Sequence, residues 1–142
     1  MWIAFGFSTA HWRHVALYIA PWTWAPAMVL QISGLRIYSL SGKNFSIVQL
    51  GGLPELLPYH GEQRLATTGI RSHVRHPIYL AHLCEMLAWS VGTGLAVCYE
   101  LTLFAMLTGA VMIRLEDREL EQRFGDAYRE YRHRVPAILP WI

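Results

Sequence analysis

Two short polar clusters carry the residue types able to do chemistry. Arg75-His76-Pro77-Ile78-Tyr79 stands before, and Glu116-Asp117-Arg118-Glu119-Leu120 just after, a stretch from Pro77 to Ile113. In those 37 residues only His82, Glu85 and Glu100 can carry charge. Proline is tolerated in the first helical turn, where its missing N–H would be unpaired in any case. A helix start at His76-Pro77 therefore presents free N–H groups and a partial positive charge, which suits an anion such as a carboxylate. Glu116 offers the complement, an anion suited to an ammonium group. The pair fits the two ends of an amino acid, and Arg114 or Arg75 can grip a second carboxylate through a fork of hydrogen bonds. The clusters meet only if the intervening stretch folds back on itself.

That requirement sets the architecture. The chain has 54% hydrophobic and 15% charged residues, and Val15 to Leu35 holds no Asp, Glu, Lys or Arg. A helix needs about 20 apolar residues to cross the hydrocarbon of a bilayer. The expectation is one all-α domain over 1–142, an integral membrane helical bundle, with spans at about 15–35, 77–92 and 95–113. The last two form a transmembrane helical hairpin turning at Gly92-Thr93-Gly94, and Ala105 and Gly109 allow close packing on its return arm. Pro21 and Pro26 predict a bend in the first span. Met1–Ala10 is apolar but too short to span alone; whether residues 1–12 belong to another span stays open. Loop 36–76 has five Lys/Arg and the tail six, against none in the Gly92 turn, so both lie on the cytoplasmic side. The active site is expected there.

An amphipathic helix is predicted over 114–134, because Glu116, Leu120, Phe124, Tyr128 and Tyr131 recur at helical spacing. On that face Glu116 is a carboxylate among apolar neighbours. The plainer alternative pairs it structurally with Arg71 or Arg75. Tyr128 and Tyr131 read as packing, and Arg132, His133 and Arg134 as a solvated or headgroup-facing cluster. His82 and Glu85, one turn apart, are functional candidates or simply reach interfacial water. A net charge of +2 is too small to indicate nucleic acid. Cys84 and Cys98 lack metal-ligand spacing and read as buried small hydrophobes; no metal is expected.

The ordered series Thr68-Gly69, Arg75-His76-Pro77-x-Tyr79, Glu116-Asp117-x-x-Leu120-x-x-x-Phe124-Gly125-x-x-Tyr128-x-x-Tyr131 and Arg134-Val135-Pro136-x-x-Leu139-Pro140 resembles the isoprenylcysteine carboxyl methyltransferase family. That family belongs to a wider group that includes phospholipid N-methyltransferases. Gly42-x-Asn44-Phe45 is similar to a segment of the eukaryotic carboxyl methyltransferases. The resemblance implies a membrane enzyme using S-adenosylmethionine, with a lipophilic or small methyl acceptor beside the lipid bilayer. It implies cofactor contacts from Arg75, His76, Pro77, Tyr79 and Leu80 on one side, and from Glu116 and Asp117 on the other. Glu116 and Arg114 are the expected catalytic residues, Arg114 orienting the acceptor. Asp117 stands where the family usually has a second Glu, Ala81 replaces a common Gly, and Arg71 a common aromatic. Phospholipid N- or thiol S-methylation is the alternative. Readings of other classes are an NADPH-dependent sterol-reductase-like enzyme and a non-enzymatic membrane module.

Overall fold

The computed structural model describes residues 14–42 and 65–139. The expectations for residues 1–12, Gly42-x-Asn44-Phe45 beyond Gly42, Pro140 and the middle of loop 36–76 lie outside these. The described residues are all-α, with helices α1 (Trp24–Gly42), α2 (Pro77–Thr93), α3 (Ala96–Phe124) and α4 (Asp126–Arg134), and 3-10 turns at Pro21–Thr23 and Gly69–Ser72. They contain no sheet; one isolated antiparallel bridge joins Ala16 and Leu95.

The chain divides into two compact units. The first holds the chain up to Leu35 together with Ala81–Val111. Its prolines start a helix rather than bend one. Residues 18–20 are irregular, Pro21 opens the 3-10 turn, and Pro26 falls in the first turn of α1, where no intrahelical N–H is needed. The helix observed where a span was expected over 15–35 begins at Trp24 and continues to Gly42.

Between α2 and α3 the connection is tight because Gly94 adopts φ +65°, and its N–H bonds the Ser90 carbonyl at 3.0 Å. The two helices are also tied by Ser90 Oγ and Thr102 Oγ1, 2.9 Å apart and buried. Tyr18 donates to the Val91 carbonyl at 2.9 Å. Gln31 of α1 donates to the Glu85 carboxylate of α2. Gly34 makes this approach possible: a Cβ there would lie 2.8 Å from Glu85 Oε1.

The second unit holds Arg36–Leu80 and Met112–Ile142. Its core is Tyr128, Tyr131 and Val135, packed with Leu65, Leu120 and Phe124. The helix expected over 114–134 is not one element. Its first residues continue α3 to Phe124, then Gly125 turns the chain at φ +57° before α4 begins. A left-handed backbone ends the α-helical hydrogen-bond run, so the sequence period cannot be carried through it.

Among the described residues, Ala96–Phe124 is the one helix long and apolar enough to cross a membrane. Only 11% of its most apolar window is buried, unlike the core helix of a water-soluble fold. α2, the expected first arm of the transmembrane hairpin, has 17 residues and does not reach that length.

Candidate functional site

Asp117 is the centre of the polar cluster in the second unit. It lies on the polar end of α3, beyond the apolar run that closes at Ile113. Its Oδ1 accepts from Arg75 Nη1 at 2.7 Å, from His76 Nε2 at 2.7 Å and from the Tyr128 hydroxyl. Arg75 Nη1 also donates to the Tyr128 oxygen at 3.0 Å, and Arg75 Nε to the Val135 carbonyl at 2.9 Å. The guanidinium is thus largely committed to internal partners.

Local chain geometry explains why these groups converge. The N–H groups of Arg75 and His76 bond the carbonyls of Pro136 and Ala137, each at 2.9 Å. Val135 leaves α4 in extended conformation, φ −121° and ψ 126°, which carries the tail past the residues that precede Pro77. Tyr131 donates to the Arg71 carbonyl at 2.6 Å and pins the preceding turn. The Val135-Pro136 motif is therefore a clamp on the start of α2. It also takes up the two amides that precede Pro77.

Burial separates the acidic pair. The Asp117 side chain is 7% exposed and that of Glu116 is 42% exposed. Glu116 Oε2 lies 3.4 Å from His76 Nδ1, and the His76 side chain is 3% exposed. Burial of Asp117 opposes its charge. Hydrogen bonds from Tyr128, His76 and Arg75, with the charge of Arg75, outweigh this and hold the carboxyl below its ordinary range. Burial and then the Asp117 carboxylate push the Tyr128 phenol up, so it remains a donor at neutral pH.

The expected site residues are therefore brought together in part. His76 meets both Glu116 and Asp117, Pro77 is fully buried behind it, and the Tyr79 ring meets His76 edge-on at 5.9 Å between centroids. Leu80 is half-buried and its N–H closes the first turn onto the His76 carbonyl at 3.3 Å. Arg114 is exposed, and no described side chain bonds it. Contrary to the placement of Glu116 on the apolar face, the buried carboxylate is Asp117. The break at Gly125 puts Tyr128 and Tyr131 on a different helix, so they do not extend the face counted from Glu116. The structural ion pair to Arg75 is likewise made by Asp117. Tyr128, expected only to pack, is fully buried with its hydroxyl inside the cluster. Its signal in the sequence was a phenol at a core position, which needs a polar partner.

No family model matches the chain. It is 38% identical over 79 residues to methanethiol S-methyltransferase 1 of Bradyrhizobium diazoefficiens, covering 55% of this chain and 27% of that protein. It is 36% identical over 105 residues to a Delta(14)-sterol reductase of Mus musculus, covering 70% and 24%. Protein-S-isoprenylcysteine O-methyltransferase B of Arabidopsis thaliana is 34% identical over 84 residues, covering 56% and 41%. The chain is homologous to a superfamily of methyltransferase- and reductase-like membrane proteins. The matched regions take up about a quarter to two-fifths of the length of these relatives.

Proposed function

We propose that the chain is an S-adenosylmethionine-dependent methyltransferase at the membrane interface. Its site is like that of the isoprenylcysteine carboxyl methyltransferases, and its acceptor is a lipophilic or small carboxylate, thiol or amine. The observation that carries this reading is the meeting of the α2 start with the acidic pair of α3, His76 lying 2.7 Å from Asp117 and 3.4 Å from Glu116. The donor set fits the methionine end of the cofactor. Glu116 is a carboxylate open on one side to take an ammonium group, while Asp117 is buried behind it and already holds Arg75 and Tyr128. Glu116, with Asp117, His76, Pro77, Tyr79 and Leu80, would line the cofactor, and Arg75 would support them from within. When bound, S-adenosylmethionine supplies an electrophilic methyl group on a sulfonium. Arg114, exposed on α3 three residues before Asp117, would orient an anionic acceptor. The clamp of Val135–Ala137 on Arg75 and His76 fixes these groups before any ligand arrives, which favours a reaction that depends on positioning.

α3 would cross the bilayer, with α2 as the shorter arm of a hairpin beside it. The basic residues of loop 36–76 and of the tail would place the site on the cytoplasmic side. The sterol reductase match over 70% of the chain supports a second reading, an NADPH-dependent reductase. Calorimetric titration of the purified protein with S-adenosylmethionine and with NADPH separates the two. Heat with S-adenosylmethionine alone is expected, and heat with NADPH alone rejects methyl transfer. Glu116→Ala should abolish cofactor heat without lowering the unfolding temperature. Arg114→Ala should lower turnover while leaving cofactor affinity within about twofold, a difference below ~0.5 kcal/mol.

A further inference from the structure

His76 stands between two carboxylates, and a neutral ring can serve only one of them. A carboxylate can only accept hydrogen bonds. Oδ1 of Asp117 lies 2.7 Å from His76 Nε2, so that nitrogen carries a hydrogen. A neutral imidazole then has a bare lone pair at Nδ1, and Nδ1 faces Glu116 Oε2 at 3.4 Å. Two acceptors meet there, beside a side chain that is 3% exposed. A second proton on the ring removes the conflict, because an imidazolium donates from both nitrogens.

Charge counting gives the same answer. Arg75 balances Asp117 at 2.7 Å, which leaves Glu116 as a second anion. Tyr79 of α2 meets the ring edge-on, and its hydroxyl bonds Glu116. From α4, the Tyr128 hydroxyl bonds Asp117, and Arg132 Nε lies 4.0 Å from Asp117 Oδ2 with its Nη1 3.4 Å from Glu121. Among the described residues, the cation that reaches Glu116 is therefore the protonated ring itself. We infer that His76 and a ligand's ammonium group exchange as partners of Glu116: the empty site holds a proton on Nδ1, and ammonium binding expels it. This rests on the methyl-transfer reading above, which gives Glu116 to the amino group of the cofactor.

The Glu116 side chain is 42% exposed, so an ammonium group reaches it from its open side. A protonated ring would then share its carboxylate with a second cation, where burial leaves little water to screen the two. The N–H bond at Nδ1 breaks, its electron pair stays on nitrogen, and the proton leaves to solvent past Glu116. The bare Nδ1 becomes an acceptor for one hydrogen of the ammonium. Nε2 keeps its hydrogen, so Asp117 keeps its three donors. One cation is gained and one lost, and the charge of the cluster is unchanged. Binding that releases a proton strengthens as pH rises, by at most about tenfold per unit. The α-amino group of the ligand loses its own proton near pH 8, which ends the rise.

S-adenosylhomocysteine, the demethylated cofactor, has the same amino acid end and cannot react, which makes it the probe. The purified protein in detergent is titrated by calorimetry at pH 6 in phosphate and in bis-tris, whose heats of ionisation differ. At that pH the amino group of the probe is charged and a free imidazole is about three-quarters protonated. The difference in heat should show release of about 0.7 to 1 proton per molecule bound. Affinity should rise at least about threefold from pH 6 to pH 7. In 15N-histidine-labelled protein at pH 6, one ring should carry hydrogen on both nitrogens without the probe and on Nε2 alone with it. His76→Gln, whose amide can still donate to Asp117, should bind without releasing a proton. Should that variant fail to fold, the wild-type proton count and ring signals decide alone. Binding with no proton released, or a ring that keeps both hydrogens in the complex, overturns the exchange and leaves the methyl-transfer reading standing. Absence of binding by both the probe and S-adenosylmethionine overturns both.

Discussion

At the level of single residues, the organising group is the Asp117 carboxylate with three donors on one oxygen. Its charge is favoured by the folded state, because Tyr128, His76 and Arg75 together outweigh the burial that opposes it. A carboxyl whose folded value is depressed stabilises the fold above its ordinary value of 3.8, and this contribution is lost as pH falls through the lower folded value. Thermal unfolding in detergent should therefore show a loss of stability below about pH 4 that is absent from Asp117→Asn. Asp117→Asn should be the less stable protein at pH 7, since Arg75 is then left buried without its anion. Tyr128→Phe should cost about 1–3 kcal/mol at pH 7 by removing a buried donor from a charged partner, and should reduce the pH dependence rather than abolish it. Equal pH dependence in all three proteins would remove Asp117 from the centre of the cluster. The sequence made the participants legible, Arg75, His76 and the acidic pair, because each is a polar type bracketing an apolar run. It did not tell which acid is buried. That depends on the helix phase, and Gly125 resets the phase between the two halves of the count.

Among the elements, helix starts and turns were the most legible features, because proline and glycine act locally. Pro77 opens α2 and Gly94 ends the α2–α3 connection as their backbone constraints require. Pro21 and Pro26 were legible as punctuation but not as to kind, since a proline bends a helix only from inside it. The α1–α2 contact was not legible, as it depends on two residues 51 positions apart, Gly34 and Glu85. There the backbone approaches closely enough that a Cβ at position 34 would stand 2.8 Å from Glu85 Oε1 and 3.2 Å from the Ala81 carbonyl oxygen. The carboxylate end can swing aside; the carbonyl is fixed in its helix. Gly34→Ala gains up to about 1 kcal/mol in helix propensity, and overpacking costs about 1–3 kcal/mol. The unfolding temperature should therefore fall. Combining Gly34→Ala with Glu85→Ala should recover part of that loss, the coupling of a contacting pair. Additive losses in the double mutant would mean that the carbonyl alone resists the methyl group.

For the molecule as a whole, the surface decides which solvent the fold needs. Leu103, Phe104, Met106, Leu107, Val111 and Met112 of α3 are all exposed, as are Met28, Val29, Ile32 and Leu35 of α1. Apolar faces of this extent are covered in stable proteins by lipid or by a partner. On α3 they belong to the helix that is long and apolar enough to span hydrocarbon. Trp22, Trp24 and Trp89 lie in the same compact unit, at 73%, 46% and 58% exposure. Trp24 and Trp89 meet edge-on with ring centroids 6.4 Å apart, and indole rings favour the membrane–water interface. Reconstitution into vesicles containing lipids brominated along the acyl chain gives a direct measurement. Bromine placed near the headgroup should quench the tryptophan fluorescence more strongly than bromine near the bilayer centre, and Trp89→Phe should remove a measurable part of that quenching. Trp89 is the informative residue, because it sits on α2, whose 17 residues fall short of the roughly 20 that a spanning helix needs. Quenching of Trp89 would place α2 in the lipid beside α3. If bromine at every depth leaves the emission unchanged, while the protein remains folded and bound to the vesicles, α2 lies outside the bilayer and the hairpin reading fails with it.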